Sequence, residues 1–481
     1  MRERGMNLGT EGRDLPLDRG QSISIASRVR WRSASRAIGC LAFLVLTAVR
    51  AQEGHEHHHS MESMSMTAST TPLGLDMSRI GSGTAWQPDD TPMAGVHFQP
   101  GAGWDLMLHW NLVAGFDAQT TPRGGHQWTS MNWVMFMAQH DLLGGQVTGR
   151  VMLSAEPFTT GGKRGYPLLL QTGEEVGGEQ LHDRQHPHDF FMEVAAIYQH
   201  ELTRWLAMEV YAAASGEPAL GPVAFPHRAS AMPNPFAAPG HHWQDSTHIA
   251  FGVLTAGLYT EWLKLEGSGF NGREPDENRY GFDFGSLDSW SLRLSWNPAR
   301  QWSAQVSYGH LAEPEAHAPG VSVDRFTASV LHSWRPGPEA SWNTSLVYGQ
   351  NWYSGPVPTT RAVLLESALE WKADTVFGRL EYVQRSGDDL ALEHEATAPP
   401  GIATEVFDSC VLELGYVRRL ATFGPLNVGL GVVGSLYVLD GGLRGFYGGQ
   451  QFPVAGMVFV RLWPVEMHHS MPGMNHAEME R

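Results

Sequence analysis

From about residue 104 the chain is written in segments of 9–15 residues in which apolar and polar side chains alternate, and no other feature narrows its possible folds so far. In one segment Trp290, Leu292, Leu294 and Trp296 share a face, while Ser289, Ser291, Arg293, Ser295 and Asn297 share the other. Alternation at 180° per residue is a strand with one apolar and one polar side. An apolar side that begins and ends in Trp suits a strand crossing two membrane interfaces. Trp302, Ala304, Val306 and Tyr308 repeat the plan against Ser303, Gln305 and Ser307, as do Cys410, Leu412, Leu414 and Tyr416 against Ser409, Glu413 and Gly415.

The pattern predicts strands near 104–118, 126–140, 145–158, 189–202, 205–217, 247–258, 262–270, 287–297, 300–312, 323–334, 340–353, 361–371, 375–386, 405–418, 425–439 and 454–463. Links after odd-numbered strands are mostly long (159–188, 218–246, 271–286, 387–404, 440–453), and links after even-numbered strands are short, as at Thr203-Arg204 and Lys372-Ala373-Asp374. A soluble sandwich also alternates along each strand, but it has no reason to keep that rhythm of connections. An all-β fold follows: a transmembrane antiparallel up-and-down β-barrel over residues 104–465, with about 16 strands and an aqueous lumen.

Composition agrees. Charged residues are 17% of the chain, against roughly 25% in soluble domains, and 17 Trp and 54 Gly suit a lipid-facing wall. Residues 1–51 hold nine basic and four acidic residues, leaving 24 basic and 46 acidic beyond them. An acidic surface repels nucleic acid, so no nucleic-acid partner is expected. Cys40 lies in the apolar run 37–49 and Cys410 stands alone beyond it, so an intrachain disulfide in the mature chain is excluded. That run of 13 residues follows Arg28, Arg30, Arg32 and Arg36 and precedes Val49-Arg50-Ala51. It reads as a secretory signal spanning 1–51 and cut after Ala51, the competing reading being an uncut anchor.

Two polar segments flank the barrel. Residues 52–103 open with His55, His57, His58 and His59, then Met61, Met64 and Met66; residues 466–481 carry Met467, His468, His469, Met471, Met474 and His476. Neither segment has a periodicity that would fold, so both are expected to be disordered. Thioethers are soft ligands suited to Cu(I), whereas imidazole takes Cu(II) or Zn(II), so Met interleaved with His points to copper as the cofactor. The bland alternative is a weak, adventitious binder. With an even strand count both ends emerge on the short-turn side, in the periplasm.

Eight His fall between residues 182 and 248. His186 and His188 lie in one long link with Asp189 beside it, His241 and His242 lie in another, and a loop folding into the lumen would bring the two groups together as a nitrogen and carboxylate metal site. The structural alternative is that these side chains merely pin loops inside the pore. No nucleophile elbow, phosphate loop or dinucleotide fingerprint occurs, so no enzyme activity is expected. Residues 52–103 are too few for a receptor plug.

The leader, the stretch from His55 to Met66 and the barrel patterning together resemble the outer-membrane copper-resistance proteins of the CopB/PcoB type. That resemblance implies copper binding and homeostasis or metal transport at the bacterial outer membrane. Expected partners are outer-membrane lipid, metal ions and periplasmic copper-handling proteins. Two other readings stay open: a general or substrate-specific porin with incidental tails, and a barrel enzyme acting on lipid.

Overall fold

A computed structural model describes residues 71–245 and 249–466. The leader, most of the N-terminal segment, His248 and the C-terminal tail beyond Glu466 therefore lie outside the described residues.

The strands are β1 (Val96–Gly101), β2 (Trp104–Gln119), β3 (Gly125–Leu142), β4 (Gly145–Leu153), β5 (Tyr166–Val176), β6 (Glu179–Gln185), β7 (Phe191–Thr203), β8 (Leu206–Gly216), β9 (Ala250–Tyr259), β10 (Leu263–Phe270), β11 (Ser289–Ala299), β12 (Trp302–Leu311), β13 (Val323–Gly337), β14 (Ala340–Tyr353), β15 (Thr360–Trp371), β16 (Asp374–Ser386), β17 (Val406–Phe423), β18 (Leu426–Val438) and β19 (Val454–Pro464). Single helical turns occur at α1 (Glu156–Thr159) and α2 (His241–Gln244). Strands β2–β4 and β7–β19 form a closed antiparallel barrel of 16 strands, each pairing with the next; β4 pairs with β7, and β19 returns to β2 with Leu462 opposite Leu112. Below that point β1 takes over the free edge of β2, Val96 facing Leu108.

All the expected barrel strands are present, with ends displaced by a few residues. β4 stops at Leu153 instead of reaching 158, because Pro157 has no N–H for the ladder and the Ser154 hydroxyl accepts the Glu156 N–H at 3.1 Å, turning the chain inward through α1. The rhythm of links is less strict than expected, since 120–124 and 354–359 on the long-loop side are short.

The wall is inverted relative to a soluble protein. On β11 Leu292 is 53% exposed, while Ser291 and Arg293 are 1% and 2% exposed. Exposed Trp104, Trp205, Trp262, Trp296, Trp302, Trp334, Trp342 and Trp371 all sit beside short turns or at the start of β2. Trp128, Trp290 and Trp352 lie toward the long loops. Two aromatic belts bounding an apolar surface mark a transmembrane barrel.

Two expectations are corrected by the interior. Residues 71–103 were expected to be flexible, yet they pack against the barrel, and the segment 77–91 enters the lumen. Arg79 pairs with Asp89 at 2.6 Å beneath Trp86. Lys264 and Arg150 donate to the Thr84 and Gly83 carbonyls, and Asn297 donates to the Gln87 carbonyl at 2.8 Å. The reason is the polarity of the inner wall: a backbone without side-chain periodicity still supplies carbonyls to buried cations. The lumen is likewise not simply aqueous, because residues 217–245 cross it. Arg228 pairs with Glu366 at 2.5 Å, Ser230 meets Ser345 at 2.7 Å, and Asn234 donates to Glu413 at 2.6 Å. The Gly240 N–H donates to Glu381 at 2.6 Å, and the Trp243 indole donates to Thr360 at 2.6 Å with Arg385 stacked 4.2 Å from its ring.

Gly349 on β14 permits the closest of these approaches, since a β-carbon there would collide with the Trp243 carbonyl. Gly349→Ala is expected to dislodge α2 while leaving the barrel closed. Limited proteolysis would then cut within 217–245 in the variant and spare the parent; equal resistance in both would refute that packing.

Candidate metal centre

The residues singled out in the two long links do converge at the long-loop mouth. His188 donates its backbone N–H and sets its Nδ1 against the same Glu156 oxygen, at 2.9 and 2.8 Å, anchoring the His186-Pro187-His188 turn to α1. The His186 ring lies 6.4 Å from that of His188, with its Nδ1 3.3 Å from Glu174. Phe225 of the luminal segment bridges to the other pair, its ring 6.2 Å from His188 and 5.2 Å from His241. His241 in turn packs 4.3 Å from His242.

The convergence separates the roles of these residues. His241 Nδ1 is bonded to the Ala238 carbonyl at 2.7 Å, which fixes α2. Asp189 faces Arg279 at 3.5 Å, and Arg279 also pairs with Glu174. Asp189, expected as a ligand, has the Arg279 guanidinium of the link 271–288 beside it, while burial and nearby Asp283 push its carboxyl up to about 8. His242 is directed elsewhere. Its Nδ1 is 3.6 Å from Glu274, and one ligand atom each from His242, Glu274 and Glu315 all lie within 4.8 Å of one another. Gly173, at φ +113°, makes room for the ring; a β-carbon there would lie 2.6 Å from His242 Cε1.

Sequence reasoning missed Glu274 and Glu315. They come from separate links, and the Glu274 N–H bonded to the Pro314 carbonyl at 2.9 Å brings them side by side. Neither has a motif around it. Burial pushes Glu274 up to about 7, against the lowering effect of its hydrogen bond with Glu315 and of nearby His317, and burial together with the charge of Glu274 pushes Glu315 up to about 8. Burial disfavours the charge of nearby His317, but Asp388 and Glu315 outweigh it and push His317 up to about 9. One imidazole and two carboxylates are a borderline-hard donor set suited to Zn(II) or Cu(II). Metal bonds of about 2.1 Å place ligand atoms roughly 3.4 Å apart, so a small closure of the links would complete the set. The tail residues His55, His57, His58, His59, Met61, Met64, Met66, Met467, His468, His469, Met471, Met474 and His476 lie outside the described residues.

At the opposite, short-turn end a vestibule of 420 Å³ is lined by both signs of charge, among them Lys372, Arg419, Arg461, Glu339 and Glu370.

The closed strand order and apolar exterior define a porin-like transmembrane β-barrel. No family model matches the chain, and no curated protein does either. Among solved structures, the anion-selective porin of Comamonas acidovorans aligns at 10% identity and TM-score 0.44, covering 75% of this chain and 99% of that one. OmpF of Salmonella typhi aligns at 10% identity and TM-score 0.45, covering 76% and 100%. A loop-deleted OmpT, an outer-membrane protein of Vibrio cholerae, aligns at 8% identity and TM-score 0.43, covering 75% and 100%.

A divalent cation at the mouth must displace the proton that the raised carboxylates hold near neutral pH. Because their pKa values lie above the ordinary 4.5, the empty site loses stability as pH rises from about 4.5 through 7–8. Zn(II) titration by calorimetry in buffers of different ionisation enthalpy is expected to show proton release at pH 7 that vanishes by about pH 9. Release that is the same at both values would contradict this coupling.

Proposed function

We propose that this protein is a bacterial outer-membrane barrel that binds copper and contributes to copper homeostasis or metal transport, with both termini in the periplasm. The observation that carries the reading is the meeting of His242, Glu274 and Glu315, drawn from three separate links, beside His186, His188 and His241 in a barrel mouth. Its orientation is supported by the placement of both barrel ends on the short-turn side, where Ala94 bridges to Glu466, since short turns of bacterial barrels face the periplasm. The His/Met tails would then sample periplasmic metal at the vestibule, with lipid outside and periplasmic copper-handling proteins as partners. The luminal crossing argues against a wide, unselective pore. A second reading, a substrate-specific porin, is favoured by the charged vestibule alone.

Two full-length variants test the choice, one with every His and Met of 52–70 and 467–481 replaced by Ser, the other His242→Gln with Glu315→Gln. Copper bound per barrel is expected to fall in each, and growth under copper stress to fall with it. Unchanged copper and growth, with large conductance steps in planar bilayers, would leave the porin.

A further inference from the structure

The inner wall of a membrane barrel is ordinarily polar, but one sector here is built of thioethers. On β2 and β3 Met107 faces Met137 and His109 faces Met135 across the ladder. Met135 in turn faces Met152 on β4, giving an unbroken row of His109, Met135 and Met152 over three strands. Directly opposed side chains of one sheet face stand about 5 Å apart at Cβ, so these groups are neighbours by register alone.

Other parts of the chain bring more of the same chemistry to this row. The luminal crossing supplies Met232 and His227, whose Nε2 lies 3.2 Å from the Met152 sulfur. The N-terminal segment supplies Met77 and Met93. His109 and His227 flank Trp133, at 4.7 and 4.4 Å between rings. Together, six Met and two His surround a cavity of 60 Å³. Methionine is the usual filler of irregular cores, but a core that used it as filler would close the gap. About 10–15 Å³ already admits a water-sized occupant. The Nε2 atom of His109 is buried and has no hydrogen-bond partner among the described residues.

We infer that this cavity is a binding site for a soft monovalent cation of the Cu(I) class, held by thioether sulfur with imidazole nitrogen from His109. Soft sulfur donors select Cu(I) over harder divalent ions, and Zn(II) at the mouth would not compete here. The cavity also shares His109 and Met232 with the vestibule, so an ion arriving from the short-turn side meets this site first. A smaller cavity continues from Met232 past Met131 and Trp133 to Glu156 and His188. The inference deepens the copper-binding reading and rests on it for the identity of the metal, but not on the tails.

The probe is Ag(I), a redox-inert stand-in, titrated into the full-length protein in detergent alongside the variant whose tail His and Met are all Ser. Because the site lies inside the fold, Ag(I) is expected to raise the unfolding temperature of both proteins and to leave one sulfur-coordinated equivalent in the tail variant. Met107→Leu, Met135→Leu and Met137→Leu combined keep the core volume and are expected to weaken that equivalent at least tenfold while Zn(II) binding at the mouth persists. If the triple variant folds poorly, His109→Phe alone should produce the same selective loss. Undiminished Ag(I) affinity in the substituted cavity, or no binding once the tails are replaced, would overturn the site. Failure of the copper-stress phenotype with Ag(I) binding intact would instead count against the physiological reading.

Discussion

In hydrocarbon no water competes for a backbone N–H or C=O, and everything in this structure follows from that constraint. A sheet in lipid must have no free edge, and the return of β19 to β2 removes the last one. Where β19 ends at Pro464, β2 still has unpaired backbone, and β1 covers it through Val96, His97 and Phe98. The same solvent sets the side-chain code. Outward positions are apolar along each strand and ringed by Trp, while Ser, Arg and Glu are turned inward.

Closing 16 strands creates an interior too wide for wall side chains to fill. The chain answers with its own links. Buried charges are costly unless paired, and a pair does not recover all of the desolvation cost, so such pairs contribute position more than stability. Arg379 with Glu413 at 2.5 Å and Arg293 with Glu266 at 3.0 Å sit in the wall, and each also donates to a carbonyl of the luminal segment. Inner-wall ions and luminal backbone thus hold one another in place, and that scaffold presents His227 and His242 at different depths.

The two candidate centres differ in donor chemistry because they are built from different material. The mouth is made of links, which carry His and carboxylates and suit harder divalent ions. The wall sector is made of strand faces, where period-2 Met replaces the polar residues usual for a lumen. On the proposed reading, soft donors lie near the vestibule and harder donors near the outer loops.

The barrel was legible because strand alternation and link length are local in sequence. Sixteen segments could be placed from them, and the structure moves their ends by only a few residues. The meeting of His186 and His188 with His241 and His242 was legible only as one of two readings, since nothing local in sequence fixes whether a long link folds into the lumen or out into water. The ordered segment 77–91, the Arg279 guanidinium beside Asp189, and the contribution of Glu274 and Glu315 were not legible. Nor was the methionine cavity, although Met131, Met135 and Met137 show the spacing of a single strand face. Sequence alone determined that the chain makes a closed, lipid-facing wall, because one solvent acts on every outward residue alike. Tertiary structure alone decided what fills that wall and which ligands meet, because the register of three strands and the paths of three links place residues tens of positions apart side by side.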